Sequence, residues 1–241
     1  MIGRMIRATA PRFLLLLVLA LAAALLAAGC GSDESSSDDG GSEGSSETTS
    51  EAVDAPSDEV KARDGMYDSA PTTKLDASKE YTVRLETSKG DIDIAVDPKQ
   101  APIAAANFVY LVEEGFYDGT TFHRIIEDFM IQAGDPRGDG TGGPGYTIKD
   151  EPVKGSYDRG VVAMARTPEP NSAGSQFFIV QGESVQLDPS YVIFGSVDEA
   201  GMEVVDAIAG VEVETGPSGE PSSPVEPVVI ERATLVEPTE D

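Results

Sequence analysis

"TFHRIIEDFMIQAGD", residues 121–135, sets the only histidine of the chain, His123, beside Arg124 within a run of aromatic and aliphatic residues. Two short β-type runs can be read in this neighbourhood, 120–126 and 129–134. Successive side chains of a strand face opposite ways, so Arg124 and His123 are expected to point apart. A guanidinium among core-type residues then has two readings: a buried structural arginine paired with an acid such as Glu127 or Asp128, or a functional cation.

Upstream, "YTVRLET" alternates Tyr81, Val83 and Leu85 with Thr82, Arg84 and Glu86, and "DIDIAVD" repeats the alternation with Ile92, Ile94 and Val96 inward. With "SKG" between them they read as a hairpin with one wet face. Asp91 and Asp93 belong to the outward set, which favours a solvated strand face over a paired-carboxylate site. "DPKQAPIAAANFVYLVEEG" predicts a helix, with Asp97 as N-cap, Pro98 in the first turn and Gly115 as its stop. A second helix is expected over 202–210.

Further β-type runs lie at 160–165, 176–180 and 191–197, and "VEPVVIERATLV" reads as a last strand. Eight strands and two helices leave too few helices for a parallel sheet. The predicted fold is mainly β, a closed eight-stranded antiparallel barrel with two capping α-helices.

The N-terminal third reads differently. Residues 1–12 carry Arg4, Arg7 and Arg12, "FLLLLVLALAAALLAA" is unbroken apolar sequence over 13–28, and Gly29 and Cys30 follow. Charged, apolar and then small residues are the order of a secretory signal. The run is short of the roughly 20 residues of a membrane span, although retention as a plain N-terminal anchor stays open. Cys30 is the single cysteine of the chain, which excludes an internal disulfide. "LLAAGC" resembles the bacterial lipobox, with Ala27 where leucine is usual. That resemblance implies a lipoprotein-type signal peptide over 1–29, lipidation at Cys30 and residence on the extracytoplasmic face of the cell membrane.

Residues 31–60 hold ten acids and no lysine or arginine. Such a segment cannot offset the entropy of ordering, so residues 30–79 are expected as a disordered acidic Ser/Gly-rich tether. A flexible chain of about 50 residues reaches roughly 40 Å. Residues 80–236 then form the folded domain, and 237–241 a tail. The net charge of −26 would become −29 once residues 1–29, with three arginines and no acid, are removed. With no basic patch to offset it, this charge excludes nucleic acid as a partner.

Two familiar patterns lose their usual meaning in context. "GTGGPG", 140–145, has the glycine spacing of a dinucleotide loop, but Pro144 interrupts it and "YTIKDEP" follows instead of a helix, so a glycine-rich surface loop is the better reading. "RGD" at 137–139 lies in the same loop and is short enough to arise by chance. His123 has no serine in a GxSxG context to act on, and one histidine without a domain cysteine does not make a usual zinc set. No metal or cofactor is expected.

With these set aside, "YDGTTFHRII", "FHRIIEDFMIQAGD", "GTGGPGY", "GVVAMARTPEPNSAGSQFFIV" and "LDPSYVIFGSV" together resemble, in order and spacing, the cyclophilins, the peptidyl-prolyl cis-trans isomerases (rotamases), in the form of the bacterial branch. The resemblance covers roughly residues 80–236. It implies an isomerase acting on proline-containing polypeptides, with Arg124 as the main catalytic group. It also implies a substrate groove made by Phe129, Met130, Gln132, Ala165, Arg166, Gln176, Phe178, Leu187 and Tyr191, in which Ala165 pairs its backbone with the peptide. Gln186 stands where the best-known eukaryotic members have tryptophan, and Tyr191 where they have histidine. The first departure implies weak cyclosporin binding. The expected role is assistance to the folding of exported proteins; the alternative is a proline-binding module or holdase chaperone of the same fold with little turnover. His123 is expected to be a hydrogen-bonded structural residue.

Overall fold

In a computed structural model, residues 56–236 are described, apart from residues 184 and 217. The elements run α1 (Asp58–Lys61), β1 (Tyr81–Thr87), β2 (Gly90–Val96), α2 (Pro102–Glu113), β3 (Arg124–Ile126), β4 (Met130–Ala133), β5 (Val161–Met164), β6 (Phe177–Val180), β7 (Ile193–Val197), α3 (Glu199–Ala209), β8 (Val213–Thr215), β9 (Pro221–Pro224) and β10 (Ile230–Val236). The expected signal, Cys30 and the tail at 237–241 lie outside the described residues, and no described helix is long and apolar enough to cross a membrane.

Eight strands form one antiparallel sheet in the order β10-β1-β2-β7-β5-β6-β4-β3, and β8 and β9 form a separate hairpin. The expectation of a closed barrel is corrected here: the sheet is open and strongly curled, with β10 and β3 as its edges. The two edges do not pair with each other because the start of β10 meets residues 119–122, which precede β3. Gly119 N–H donates to Ile230 O at 2.7 Å, Phe122 N–H to Val228 O at 2.9 Å and Ile230 N–H to Thr120 O at 2.8 Å. An irregular stitch thus holds the gap where a ladder would close it.

The period of two fixes which side chains go where. Ile125 of β3, Ile131 and Ala133 of β4, Val162 and Met164 of β5, and Phe177 and Ile179 of β6 enter the main core with Leu85, Ile94, Phe108 and Phe194. Their neighbours Met130, Ala163, Phe178 and Val180 face the other way and form a second apolar cluster with Tyr157 and Ile193. Arg124 and Ile126 flank the inward Ile125, so Arg124 stands on this second face.

α2 begins later than its sequence suggests. Asp97 Oδ1 accepts from the N–H groups of Lys99 and Gln100 at 2.8 and 3.0 Å, which makes a turn, and the helix starts at Pro102 behind Ala101, which supplies no side-chain cap. The free N–H groups of Ile103 and Ala104 instead donate to the Glu151 carboxylate at 3.0 and 2.9 Å. α3 is capped locally by Asp198, which accepts from Gly201 N–H at 2.9 Å.

Residues 56–79, expected as part of the disordered tether, are a packed strap in the structure. Ser57 caps α1, Val60 is buried, and one Nη of Arg63 donates to the carbonyls of Gly115, Phe116 and Asp118 at 2.9, 3.2 and 2.6 Å. Gly65 and Tyr67 donate backbone N–H groups to Gly143 and Pro144 at 2.9 Å each. Gly145 sits at φ +101°, and a Cβ there would run into the backbone of Gly65 and Tyr67, so the glycine-rich loop is shaped to receive the strap. Composition hid this because a few apolar side chains and one arginine hold the segment down.

Candidate active site

On the outer face of β3, β4, β5 and β6, nine side chains line one cavity of about 240 Å³: Arg124, Phe129, Met130, Gln132, Ala165, Arg166, Phe178, Leu187 and Tyr191. Strand alternation supplies Arg124, Met130, Gln132 and Phe178, while the turn after β3 brings Phe129 and the chain before β7 brings Leu187 and Tyr191. Met130 and Phe178 are 1% and 4% exposed, so the floor is dry, and Tyr191 stands edge-on to Phe178 at 5.5 Å between centroids. Gln176 does not line this cavity. It supports it, accepting from Gln132 Nε2 at 2.9 Å and donating to the carbonyls of Gly140 and Gly142 at 3.1 and 2.9 Å.

Arg124 reaches over the floor with its guanidinium carbon 5.9 Å from the centroid of the Phe129 ring, within the range of a cation–π contact. Its Nε donates to Glu220 Oε2 at 2.8 Å, and Nη1 lies 3.7 Å from Met130 Sδ. The acid that pairs with Arg124 is therefore neither Glu127 nor Asp128, but a residue of the β8–β9 hairpin.

Ala165 and Arg166 are more committed than expected. Ala165 N–H donates to Gln176 O at 2.9 Å, so any pairing with a peptide falls to its carbonyl. The guanidinium of Arg166 bonds Asp150 and the carbonyls of Thr167, Pro168, Glu169 and Ser190, so this side chain shapes the groove wall and has little hydrogen-bonding capacity left for a ligand.

Two further cavities adjoin the groove. One of about 820 Å³ shares Gln132, Ala165 and Arg166 with it and has Asp64 and Gly65 of the strap in its wall. The other, about 470 Å³, shares Arg124 and Gln132 and is bounded by His123, Asp139, Ser218, Glu220 and Ser222. A cavity of about 690 Å³ near Asp97 and Lys154 shares no residue with these three. His123 departs from the expected hydrogen-bonded role, because both its ring nitrogens are buried without a partner. Burial pushes its pKa down against the raising influence of Asp135, with the Thr121 backbone close but outside hydrogen-bond geometry, a direction that favours the neutral ring. Among the described residues no group of three or more His, Cys, Asp or Glu is placed to hold a metal ion.

The family described as cyclophilin type peptidyl-prolyl cis-trans isomerase/CLD matches residues 82–235. The chain belongs to the cyclophilin-type peptidyl-prolyl cis-trans isomerases. Peptidyl-prolyl cis-trans isomerase B of Streptomyces anulatus is 44% identical over 176 residues, 66% of this chain and 98% of its own length. Peptidyl-prolyl cis-trans isomerase A of Mycobacterium tuberculosis is 39% identical over 171 residues, 64% and 91% of the two chains. The crystal structure of a Cryptosporidium parvum cyclophilin in the presence of the dipeptide Ala-Pro aligns with a TM-score of 0.59 at 34% identity, covering 65% of this chain and 99% of that one. This cyclophilin is accordingly a peptidyl-prolyl cis-trans isomerase, and its curled sheet with few helices is the family fold.

The strap before residue 80 and the pairing of Arg124 with Glu220 escaped the sequence reading. For Glu220 no local signal exists, since "TGPSGEP" reads as an ordinary loop.

Proposed function

We propose that Arg124 drives the isomerisation in the 240 Å³ groove, on extended proline-containing segments of exported proteins, with the enzyme held at the outer face of the cell membrane through lipid on Cys30. The observation that carries the groove assignment is the convergence on one cavity of a guanidinium and a dry floor of Met130 and Phe178. The C–N bond of an Xaa-Pro amide turns slowly because resonance imposes a barrier of roughly 18–20 kcal/mol. Nothing needs to be oxidised or protonated, only the nitrogen lone pair localised while one side of the bond rotates.

The proline ring would rest on Phe129, Met130 and Phe178, leaving the preceding carbonyl free to swing. Nη2 of Arg124, and Nη1 once it leaves its weak contact with Met130 Sδ, would then donate to the proline nitrogen as it becomes pyramidal, or hold the carbonyl beyond proline. Such bonds accelerate the reaction only to the extent that they strengthen in the twisted state. Bringing exchange from tens of seconds to about a millisecond needs about 6–7 kcal/mol. One charge-assisted hydrogen bond contributes about 1.5–3 kcal/mol in ordinary settings, and the dry floor strengthens it. Ring seating supplies the remainder. The Ala-Pro dipeptide present with the Cryptosporidium relative is consistent with a proline ligand here.

Titration with a short Xaa-Pro peptide tests the groove: NMR shifts should centre on Phe129, Phe178 and Tyr191, and shifts centred near Asp97 and Lys154 would contradict it. The anchor is tested by labelling cells with a lipid precursor. Label should appear on the wild type and vanish in Cys30→Ala; a mutant that keeps its label would overturn the lipid anchor.

A further inference from the structure

We propose that Glu220 is a positioning residue for the isomerase, fixing the Arg124 guanidinium so that its terminal nitrogens face the proline groove. The inference rests on the role given above to Arg124. An arginine side chain is a long, rotamer-rich arm, and Arg124 springs from β3, a three-residue strand at the edge of the sheet, with its side chain 33% exposed. Its other contacts are soft: a thioether sulfur at 3.7 Å and an aromatic face at 5.9 Å. Gln132, its Cα partner across the β3–β4 ladder, turns its amide to Gln176, donating one N–H there at 2.9 Å. Among the described residues, Glu220 is the one acid within salt-bridge distance of Arg124.

The geometry of the pair suits orientation. Glu220 engages Nε alone, at 2.8 Å, on the side of the guanidinium that carries the 470 Å³ cavity, and among the described residues no hydrogen bond involves Nη2. One end of the fork is held and the other is left to donate. The acid itself is placed by its hairpin: β8 and β9 pair Val213 with Pro224, Glu214 with Ser223 and Thr215 with Pro221. The turn is closed by Gly216 N–H on Glu220 O and Gly219 N–H on Gly216 O, both at 2.9 Å. With the Glu220 side chain 39% exposed, the ion pair contributes little to folding stability. A role in orientation therefore separates cleanly from a structural one.

The test uses the purified full chain and an Xaa-Pro peptide, with the exchange rate of the bound peptide and its affinity measured separately by NMR. Glu220→Ala should slow exchange on the bound peptide by roughly 10- to 100-fold, the scale of a misplaced catalytic group, with affinity and thermal midpoint nearly unchanged. Glu220→Gln, which keeps an acceptor without the charge, should recover most of the rate. The Arg124 Nε resonance should shift and exchange faster with solvent in Glu220→Ala and not in Glu220→Gln. In the Arg124→Ala background, removing Glu220 should change nothing further. An unaltered or faster rate in Glu220→Ala, while Arg124→Ala is inactive, would overturn the positioning role and leave Arg124 standing. A full rate in Arg124→Ala would instead overturn the reading on which it rests.

Discussion

Asp150 Oδ2 sits 3.0 Å from Arg166 Nη1 and accepts the Asn171 N–H at 2.9 Å, while Asn171 Oδ1 accepts the Asp150 N–H at 2.9 Å. This reciprocal clasp, with Arg166 also bonded to Ser190 O at 3.3 Å, ties three loops together one residue away from Tyr191. Removing one partner of a partly buried pair leaves the other uncompensated. Asp150→Ala should therefore lower stability by about 2–3 kcal/mol in urea unfolding, and weaken peptide binding through displacement of Tyr191. Peptides with acidic and basic neighbours to proline should lose affinity alike; loss confined to acidic peptides would mean that Arg166 binds substrate by charge.

Arg63 holds the strap by three carbonyls. Arg63→Ala should cost about 2–3 kcal/mol and open residues 57–67 to protease and to hydrogen exchange. Unchanged protection of that segment would show that Val60, Tyr67 and the Gly145 contact suffice without the guanidinium.

The strap and the Arg124 partner show where reading from sequence stops. The resemblance to the cyclophilins named Arg124, Met130, Gln132 and Phe178 as groove residues, and the local period of a strand is what sets them on one face in the structure; all eight strands of the sheet lie in or directly beside the runs that the hydrophobic pattern marked. Glu220 reaches Arg124 from 96 residues away, and no local pattern encodes that distance. Glu151 caps α2 from 47 residues beyond Ala104, so the local rule put the helix start at Asp97. Whether the sheet closes is a matter of register between Thr120 and Ile230, which neither strand's own sequence determines. The acid-rich composition of the N-terminal third masked the few contacts that pack residues 56–79.

His123 gives the enzyme a pH signature. Burial lowers its pKa below the ordinary value of about 6.5, so the unfolded chain takes up a proton that the native state refuses. Stability is unaffected well above that value and falls as pH drops through it toward the depressed native pKa, by up to about 1.4 kcal/mol per pH unit. As the only histidine, it makes the test direct. Urea unfolding between pH 8 and pH 5.5 should show the fall in wild type and not in His123→Phe, and equal slopes in the two would contradict a buried neutral ring.

The most direct measurement is cis-trans exchange of a short Xaa-Pro peptide by NMR, with the purified chain and its Arg124→Ala variant. The expected result is rapid exchange with wild type, and a loss on the order of 100-fold in a variant that keeps its fold and still binds the peptide. Undiminished exchange in Arg124→Ala would contradict the assignment of the chemistry to this guanidinium.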